Sequence, residues 1–75
     1  PPPKSWTSFE FLNKFTQEEI LPIISSNDPI VKLFLLKLGA VTTVEQTHSD
    51  TLKAMDYLVL LGFITVERKS EILEL

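Results

Sequence analysis

The sequence predicts an all-α fold, a compact bundle of four to five short helices. Residues that favour helix N-caps stand ahead of several apolar stretches, and apolar residues recur behind them at helical spacing. Composition agrees, because 44% of the 75 residues are hydrophobic and the chain has no cysteine. A chain this short must be stabilised by a densely packed core, because without cysteine it cannot form disulfides.

The N-terminal segment 1–6 is predicted to be an extended, proline-rich arm ahead of one helical domain at 7–75. Three consecutive prolines favour polyproline geometry and cannot begin a packed core. An arm of this kind can dock on a neighbouring chain, and aromatic residues are enriched at the centres of interfaces. The candidate interface residues are therefore Pro1, Pro2, Pro3, Trp6 and Phe11.

Thr7 is predicted to cap a first helix over 8–15. Helical spacing groups three apolar residues on one face of this helix, and we expect that face to be buried. Its members are Phe9, Leu12 and Phe15. Phe11 would then point elsewhere, toward Trp6.

The second helix is predicted to begin at a capping box. The Thr16 hydroxyl can accept a first-turn N–H, while Glu19 reaches back to the cap. Pro22 lies too far into this helix for a first-turn proline. We therefore expect the helix to kink or restart there.

Asp28 and Pro29 predict a clean start for the third helix, as N-cap and first helical residue. Residues 30–38 are apolar on nearly every face, which is typical of a helix at the centre of a domain. Gly39 is the expected C-cap.

The connector 40–48 is predicted to be extended, because it is rich in β-branched residues and lacks helical periodicity. Ser49 or Asp50 would cap the next helix, over 51–61, which ends at Gly62. Its buried stripe is predicted to consist of Leu52, Met55, Leu58 and Val59.

The last segment, 63–75, has two interpretations. Alternating apolar residues could form a C-terminal β-hairpin, which would make the domain winged-helix-like, an α+β fold with 51–61 as its recognition helix. Alternatively, Thr65 caps a helix over 66–74 that buries Val66 and Leu73. Residues 68–70 contain no Gly, Asn or Asp for a tight hairpin turn, which favours the helix.

The charge and hydropathy patterns indicate which classes of partner the chain can bind. The formal net charge is −3 and the seven basic residues are scattered, so a nucleic acid is an unlikely ligand. Every apolar run falls far below the ~20 residues that a membrane-spanning helix needs. No small-molecule ligand is evident from the sequence.

No catalytic, cofactor-binding or metal-binding residue is predicted. Glu18 and Glu19 are better explained by capping and the helix dipole than by acid–base catalysis. His48, Ser49 and Asp50 are adjacent in the chain, whereas catalytic triads assemble from distant segments. A single histidine without cysteine also cannot form a typical zinc site.

The order of motifs resembles a group of small proteins encoded among the structural, tail-proximal genes of tailed bacteriophages. That group shares a phrase FLxRFTxxE, a helix opening near DP, a helix TxxAhxxLxxxGhhT and an RxxEIL tail. The matching stretches here are 11–19, 28–31, 51–65 and 68–73. Pro22 and the connector VTTVEQ depart from the pattern.

The resemblance implies a setting and supplies no site residues. It implies a non-enzymatic structural or assembly module of the virion, in the capsid, neck or tail, or in the host cytoplasm during assembly. Its partners would be phage structural proteins or further copies of the chain. The alternative function is a winged-helix regulatory module that binds protein or DNA.

Overall fold

Five helices and two short strands make up residues 3–75, the part of the chain that the computed structural model describes. Their order is β1 (Ser5–Thr7), α1 (Ser8–Asn13), α2 (Gln17–Ile24), α3 (Pro29–Ala40), β2 (Thr43–Glu45), α4 (Ser49–Leu60) and α5 (Val66–Leu73). The fold is therefore mainly α, as predicted. The structure also contains a two-stranded sheet, which the prediction of a purely helical bundle did not include.

The two strands pair antiparallel, with Trp6 opposite Val44. The connector 40–48 supplies β2 and is extended there, as expected from its β-branched residues. β1 crosses the predicted boundary between an arm at 1–6 and a domain at 7–75. The start of the described chain is thus held against its middle by backbone hydrogen bonds.

The predicted N-caps of α1, α2, α3 and α5 are all present. Each cap side chain accepts a hydrogen bond from a first-turn N–H: Thr7 from Glu10 at 3.0 Å, Thr16 from Glu19 at 3.2 Å, Asp28 from Ile30 at 2.8 Å and Thr65 from Arg68 at 3.1 Å. Thr7 and Thr16 both complete capping boxes. These local bonds explain why the helices begin where they do.

The N-cap of α4 is His48, so the prediction of Ser49 or Asp50 was wrong. The imidazole Nδ1 of His48 accepts a hydrogen bond from the Asp50 N–H at 3.1 Å. The ring nitrogen performs the task that a hydroxyl or carboxylate usually performs. Ser49 and Asp50 are consequently the first residues of the helix.

Gly62 ends α4 as predicted, in the left-handed conformation with φ of 84°. The Gly62 N–H donates to the Val59 carbonyl and the Phe63 N–H donates to the Leu58 carbonyl, each at 3.0 Å. This pair of bonds forms a Schellman motif, which requires a positive φ that glycine adopts without strain.

α2 does not restart at Pro22, and Gly39 is not the C-cap of α3. α2 continues through Pro22 without a restart, because one missing N–H does not end the helix and the Ser25 N–H still donates to the Leu21 carbonyl at 3.0 Å. Gly39 lies within α3, which ends one residue later with Val41 as its C-cap. Gly39 has no positive φ and therefore does not terminate the helix.

The C-terminal segment is a helix over Val66–Leu73, so the C-terminal hairpin of the alternative fold does not form. The small sheet that does form joins β1 to β2, and a mixed α+β description of the domain also accommodates it. Leu73 is fully buried, as predicted, whereas Val66 is exposed. Ile72, next to Leu73, supplies the second buried side chain of the helix.

The core draws on every helix and on β2. Its buried members are Phe11, Phe15, Ile23, Val31, Val44, Met55, Leu58, Ile64, Ile72 and Leu73. The predicted α1 face was partly wrong, because Phe9 is 74% exposed while Phe11 is only 7% exposed. The side chain of Phe11 turns inward to meet both Trp6 and Phe15, at ring-centroid distances of 6.0 and 5.6 Å.

Candidate interaction surface

The predicted interface residues divide between the core and the surface. Trp6 is half-buried on Phe11, and the Lys14 ammonium lies 4.5 Å from the centroid of the Trp6 ring. Phe11 is a core residue and presents no exposed ring. Pro3 is exposed, and Pro1 and Pro2 lie outside the described residues. A role for this region in binding stays a prediction.

The largest departure from expectation is α3. This 12-residue helix was predicted to lie at the centre of the domain, yet Val31 is its only fully buried residue. Leu36 is 73% exposed, and Ile30 and Leu33 are exposed as well. The helix is apolar on nearly every face, but its exposed residues, Lys32 and Lys37 among them, leave only one side in contact with the rest of the chain.

A second exposed apolar stripe lies on α2, where Leu21 and Ile24 face solvent. α2 and α3 pack on each other and are joined by the short loop 25–28. The stripes lie on the two helices that this loop connects. We name the combined stripes the α2–α3 surface, which comprises Leu21, Ile24, Ile30, Leu33 and Leu36. Soluble monomers seldom expose apolar side chains grouped in this way.

The charges around the α2–α3 surface have opposite signs on its two halves. Glu18 is exposed on α2, and Lys32 and Lys37 are exposed on α3. Within residues 3–75, none of the three takes part in an ion pair. The exposed charges without an ion pair are thus a carboxylate on α2 and two ammonium groups on α3, which lie on different sides of that helix because they are five residues apart.

Lys4 and Lys14, two cations near the start of the chain, both bind a carboxylate near its end. Glu74 accepts from both Lys4, at 2.7 Å, and Lys14. Hydrogen bonds from Lys14 and Lys4 hold the pKa of Glu74 at about 2, below its ordinary 4.5. The Gln46 amide donates to the Leu73 carbonyl at 2.7 Å and so satisfies the last turn of α5. These contacts join both ends of the described chain into one unit.

An open groove of about 580 Å³ is lined by residues of α1, α2, α3, β2 and α4. Its floor is apolar and includes Val31, Leu38, Met55 and Leu58. Polar side chains stand at its margins, among them Lys37, Glu45, His48 and Asp50. The groove has the size and apolar lining of a small-ligand site. The groove could not be predicted from the sequence, because it arises from the packing of helices that are distant in the chain.

Glu19 and His48, two polar side chains that a catalytic site could use, both have structural partners. Glu19 accepts from the Thr16 N–H and from Arg68, and His48 caps α4. Among residues 3–75, no three His, Asp or Glu side chains are grouped so as to hold a metal ion. Likewise, none of the helices described is both long and apolar enough to cross a membrane.

Comparison with known proteins adds no relative: no family model, curated protein or solved structure matches this chain. The resemblance to small phage proteins consequently stays a prediction based on motif order.

Proposed function

We propose that the protein acts through protein–protein contacts, as a non-enzymatic structural or assembly module of a tailed-phage particle. The observation that carries the proposal is the exposure of Leu36 and its neighbours on α3. A helix with exposed apolar side chains gains stability when a partner covers them. The phage setting is supported by the order of the sequence motifs, and it implies a place in the virion or in the host cytoplasm during assembly.

A proteomic experiment tests the setting. Virions of a phage that encodes this chain would be purified and analysed by quantitative mass spectrometry, and we expect the chain at a fixed number of copies per particle. Its absence from both virions and assembly intermediates would contradict the proposal.

A crosslinking experiment tests the contact. A photoreactive amino acid placed at Leu36 should crosslink to a virion protein or to another copy of the chain. Leu60 on α4 is 77% exposed and gives a matched control position outside the α2–α3 surface. Equal crosslinking from both positions would show that the α2–α3 surface has no special role.

The two-stranded sheet fits the alternative, a winged-helix-like module that binds protein or DNA. Binding of a fluorescent DNA duplex would distinguish the two functions. Protein–DNA affinity falls steeply with salt because phosphate contacts release counterions. Tight, salt-dependent binding would favour the alternative over the structural module.

A further inference from the structure

We propose that the outer edge of β2, together with the groove beside it, binds an extended tail or loop of a partner protein as a third strand of the sheet. This inference rests on the proposed function in one respect, namely that the chain acts through protein contacts. It concerns a different surface, because residues 42–45 line the groove and none of them belongs to the α2–α3 surface.

The hydrogen bonds of the sheet determine which backbone groups of β2 point away from β1. The Ser8 N–H donates to the Thr42 carbonyl at 3.4 Å. At the other end of the sheet, the Gln46 N–H donates to the Lys4 carbonyl at 2.9 Å. Pairs that share hydrogen bonds alternate with pairs that do not in an antiparallel ladder, so the odd-numbered residues of both strands direct their N–H and C=O groups outward.

Two further bonds agree with this orientation. The Glu45 carbonyl accepts from the His48 N–H at 3.3 Å. On the opposite edge of the sheet, the Thr7 N–H donates to Glu10 Oε1 at 2.9 Å. The N–H and C=O of Thr43 and the N–H of Glu45 have no hydrogen-bond partner in the described part of the chain. Unpaired groups along a strand edge are a template on which another extended chain can pair.

The outer edge of β2 borders the groove. Residues 42–45 line the groove, and so does His48, whose N–H binds the outward-facing carbonyl of Glu45. The same groove is lined by the apolar side chains of Leu38 and Met55. A strand added to β2 would therefore lie along this edge and over an apolar floor.

The pleat of the sheet indicates which side chains the added strand needs. Val44 is only 7% exposed, so its side chain points toward the core. A partner residue beside Val44 would point to the same side of the sheet and enter the groove. Its two neighbours would lie beside Thr43 and Glu45, on the exposed face. The bound segment is therefore predicted to alternate polar and apolar residues.

The charges at the margin of the groove favour such a segment over a charged small molecule. Lys37 is basic, whereas Glu45 and Asp50 are acidic, and none of these side chains forms an ion pair with another described residue. A margin of mixed sign does not select anions or cations. Backbone hydrogen bonds, in contrast, bind an extended segment whatever its charge.

A second copy of the chain fits this edge less well than a flexible segment does. If β2 of a second copy paired here, its Val44 would already be buried in its own core and could not enter the groove. A segment that is unfolded before it binds has its side chains free to do so.

Fluorescence anisotropy with three synthetic peptides tests the site. In each labelled peptide, threonine alternates with one apolar residue, which is valine, leucine or phenylalanine. At least one of them should bind saturably to the full chain. The absence of saturable binding up to about 1 mM for all three would overturn the inference.

Backbone methylation of the best peptide tests the mode of binding. N-methylation of every second amide removes the N–H donors along one edge of the peptide and preserves its side chains. Methylation of one alternate set should weaken binding about tenfold or more, and methylation of the other should change it less than about twofold, because only one edge pairs with β2. Equal effects of the two sets would contradict strand addition.

A proline substitution tests the edge from the side of the protein. Thr43→Pro removes the Thr43 N–H without breaking a bond to β1, because that group points outward, and it should weaken binding about tenfold. Ser5→Pro is the matched control, since Ser5 has the equivalent outward position on the far edge of the sheet. It should change binding less than about twofold. Circular dichroism of both variants verifies the fold.

Equal binding by Thr43→Pro and the wild-type chain would overturn the inference. So would a homodimer that Thr43→Pro dissociates, because a second copy would then occupy the edge. If Thr43→Pro does not fold, the methylated peptides still decide, since they leave the protein unaltered. The proposed function fails by a separate route: absence of the chain from virions would leave peptide binding intact, and a failure to bind peptides would leave crosslinking from Leu36 unaffected.

Discussion

The guanidinium of Arg68 binds the carboxylate of Glu19 through two hydrogen bonds, from Nε to Oε2 at 2.7 Å and from Nη2 to Oε1 at 2.8 Å. Arg68 also donates to the Lys14 carbonyl at 3.2 Å. Glu19 belongs at the same time to the capping box at the start of α2, where it accepts from the Thr16 N–H at 2.8 Å. The Glu19 carboxylate therefore helps to cap the start of α2 and also links α2 to α5.

Replacing Glu19 with glutamine should lower the free energy of unfolding by about 1–2 kcal/mol. Glutamine can keep the capping bond but loses the charge that attracts Arg68. The loss is smaller than for a fully buried pair, because the side chains of Arg68 and Glu19 are 30% and 14% exposed. Urea denaturation followed by circular dichroism measures it.

The control for this change is Glu67→Gln. Glu67 is exposed in the first turn of α5, so it has a similar position relative to a helix dipole, and no side-chain ion pair involves it within the described chain. We expect a change in stability within about 0.5 kcal/mol. Equal losses for both variants would show that the contact with Arg68 contributes nothing specific.

Stability should fall as the pH is lowered from 4.5 toward 2. The hydrogen bond from Arg68, foremost among several effects, lowers the pKa of Glu19 from 4.5 to about 2. Above pH 4.5, Glu19 is ionised in both the folded and the unfolded chain, and its stabilisation is complete. Between pH 4.5 and 2 the unfolded chain takes up the proton first, and the stabilisation is lost.

Thermal unfolding at a series of pH values checks this prediction. The midpoint of the wild-type chain should drop through that window, and Glu19→Gln should flatten the drop. Part of it should remain, because the pKa of Glu74 is lowered to about 2 as well. A variant with both glutamates replaced should show a smaller drop, which the lowered pKa of Asp28 still causes. If the unfolding midpoint of Glu19→Gln depended on pH as steeply as that of the wild-type chain, Glu19 would not be the cause of the drop.

Helix starts were predictable because an N-cap bond spans only three residues of sequence. Thr7, Thr16, Asp28 and Thr65 were all identified in this way, whereas His48 was missed because a histidine seldom plays this role. The sheet could not be predicted, since it pairs residues 5–7 with 43–45 and neither segment carries a hairpin signal.

The candidate surface was only half predictable. The sequence shows that 30–38 is apolar on nearly every face, and a position at the centre of the domain is the usual reason for such a pattern. Which faces a helix buries depends on how many neighbours the rest of the chain supplies. In a chain of 75 residues, the other elements cover one side of α3 and leave Leu33 and Leu36 in solvent.

The hydroxyl of Tyr57 donates to both carboxylate oxygens of Asp28, at 2.9 and 3.1 Å, and so connects α4 to the N-cap of α3. This hydrogen bond, followed by burial and by the nearby negative charge, raises the pKa of Tyr57 above its ordinary 10. Burial alone would raise the pKa of Asp28, but the hydrogen bonds from Val31, Tyr57 and Ile30 together lower it.

Ultraviolet titration can measure the shift directly, because Tyr57 is the only tyrosine of the chain. In the native protein, the phenol should ionise above pH 10. Asp28→Asn should bring the transition back toward 10, because asparagine keeps the cap but removes the charge. An identical titration curve in both proteins would show that Asp28 has no influence on Tyr57.

Trp6 and Phe9 offer the sharpest test of how the N-terminal segment is held. Trp6 packs on Phe11 and under the Lys14 ammonium, whereas Phe9 projects into solvent. Trp6→Ala should therefore cost about 1–3 kcal/mol, less than the ~3–5 kcal/mol typical of fully buried aromatic side chains, because Trp6 is only half-buried.

Phe9→Ala is the matched control, and we expect a change in stability within about 0.5 kcal/mol. Trp6→Phe should retain most of the wild-type stability, since a ring still covers Phe11. Denaturation of all three variants can be followed by circular dichroism, without relying on tryptophan emission. If Trp6→Ala proved neutral, β1 would be an appendage of the domain, and Trp6 would be left free to bind a partner as the sequence first indicated.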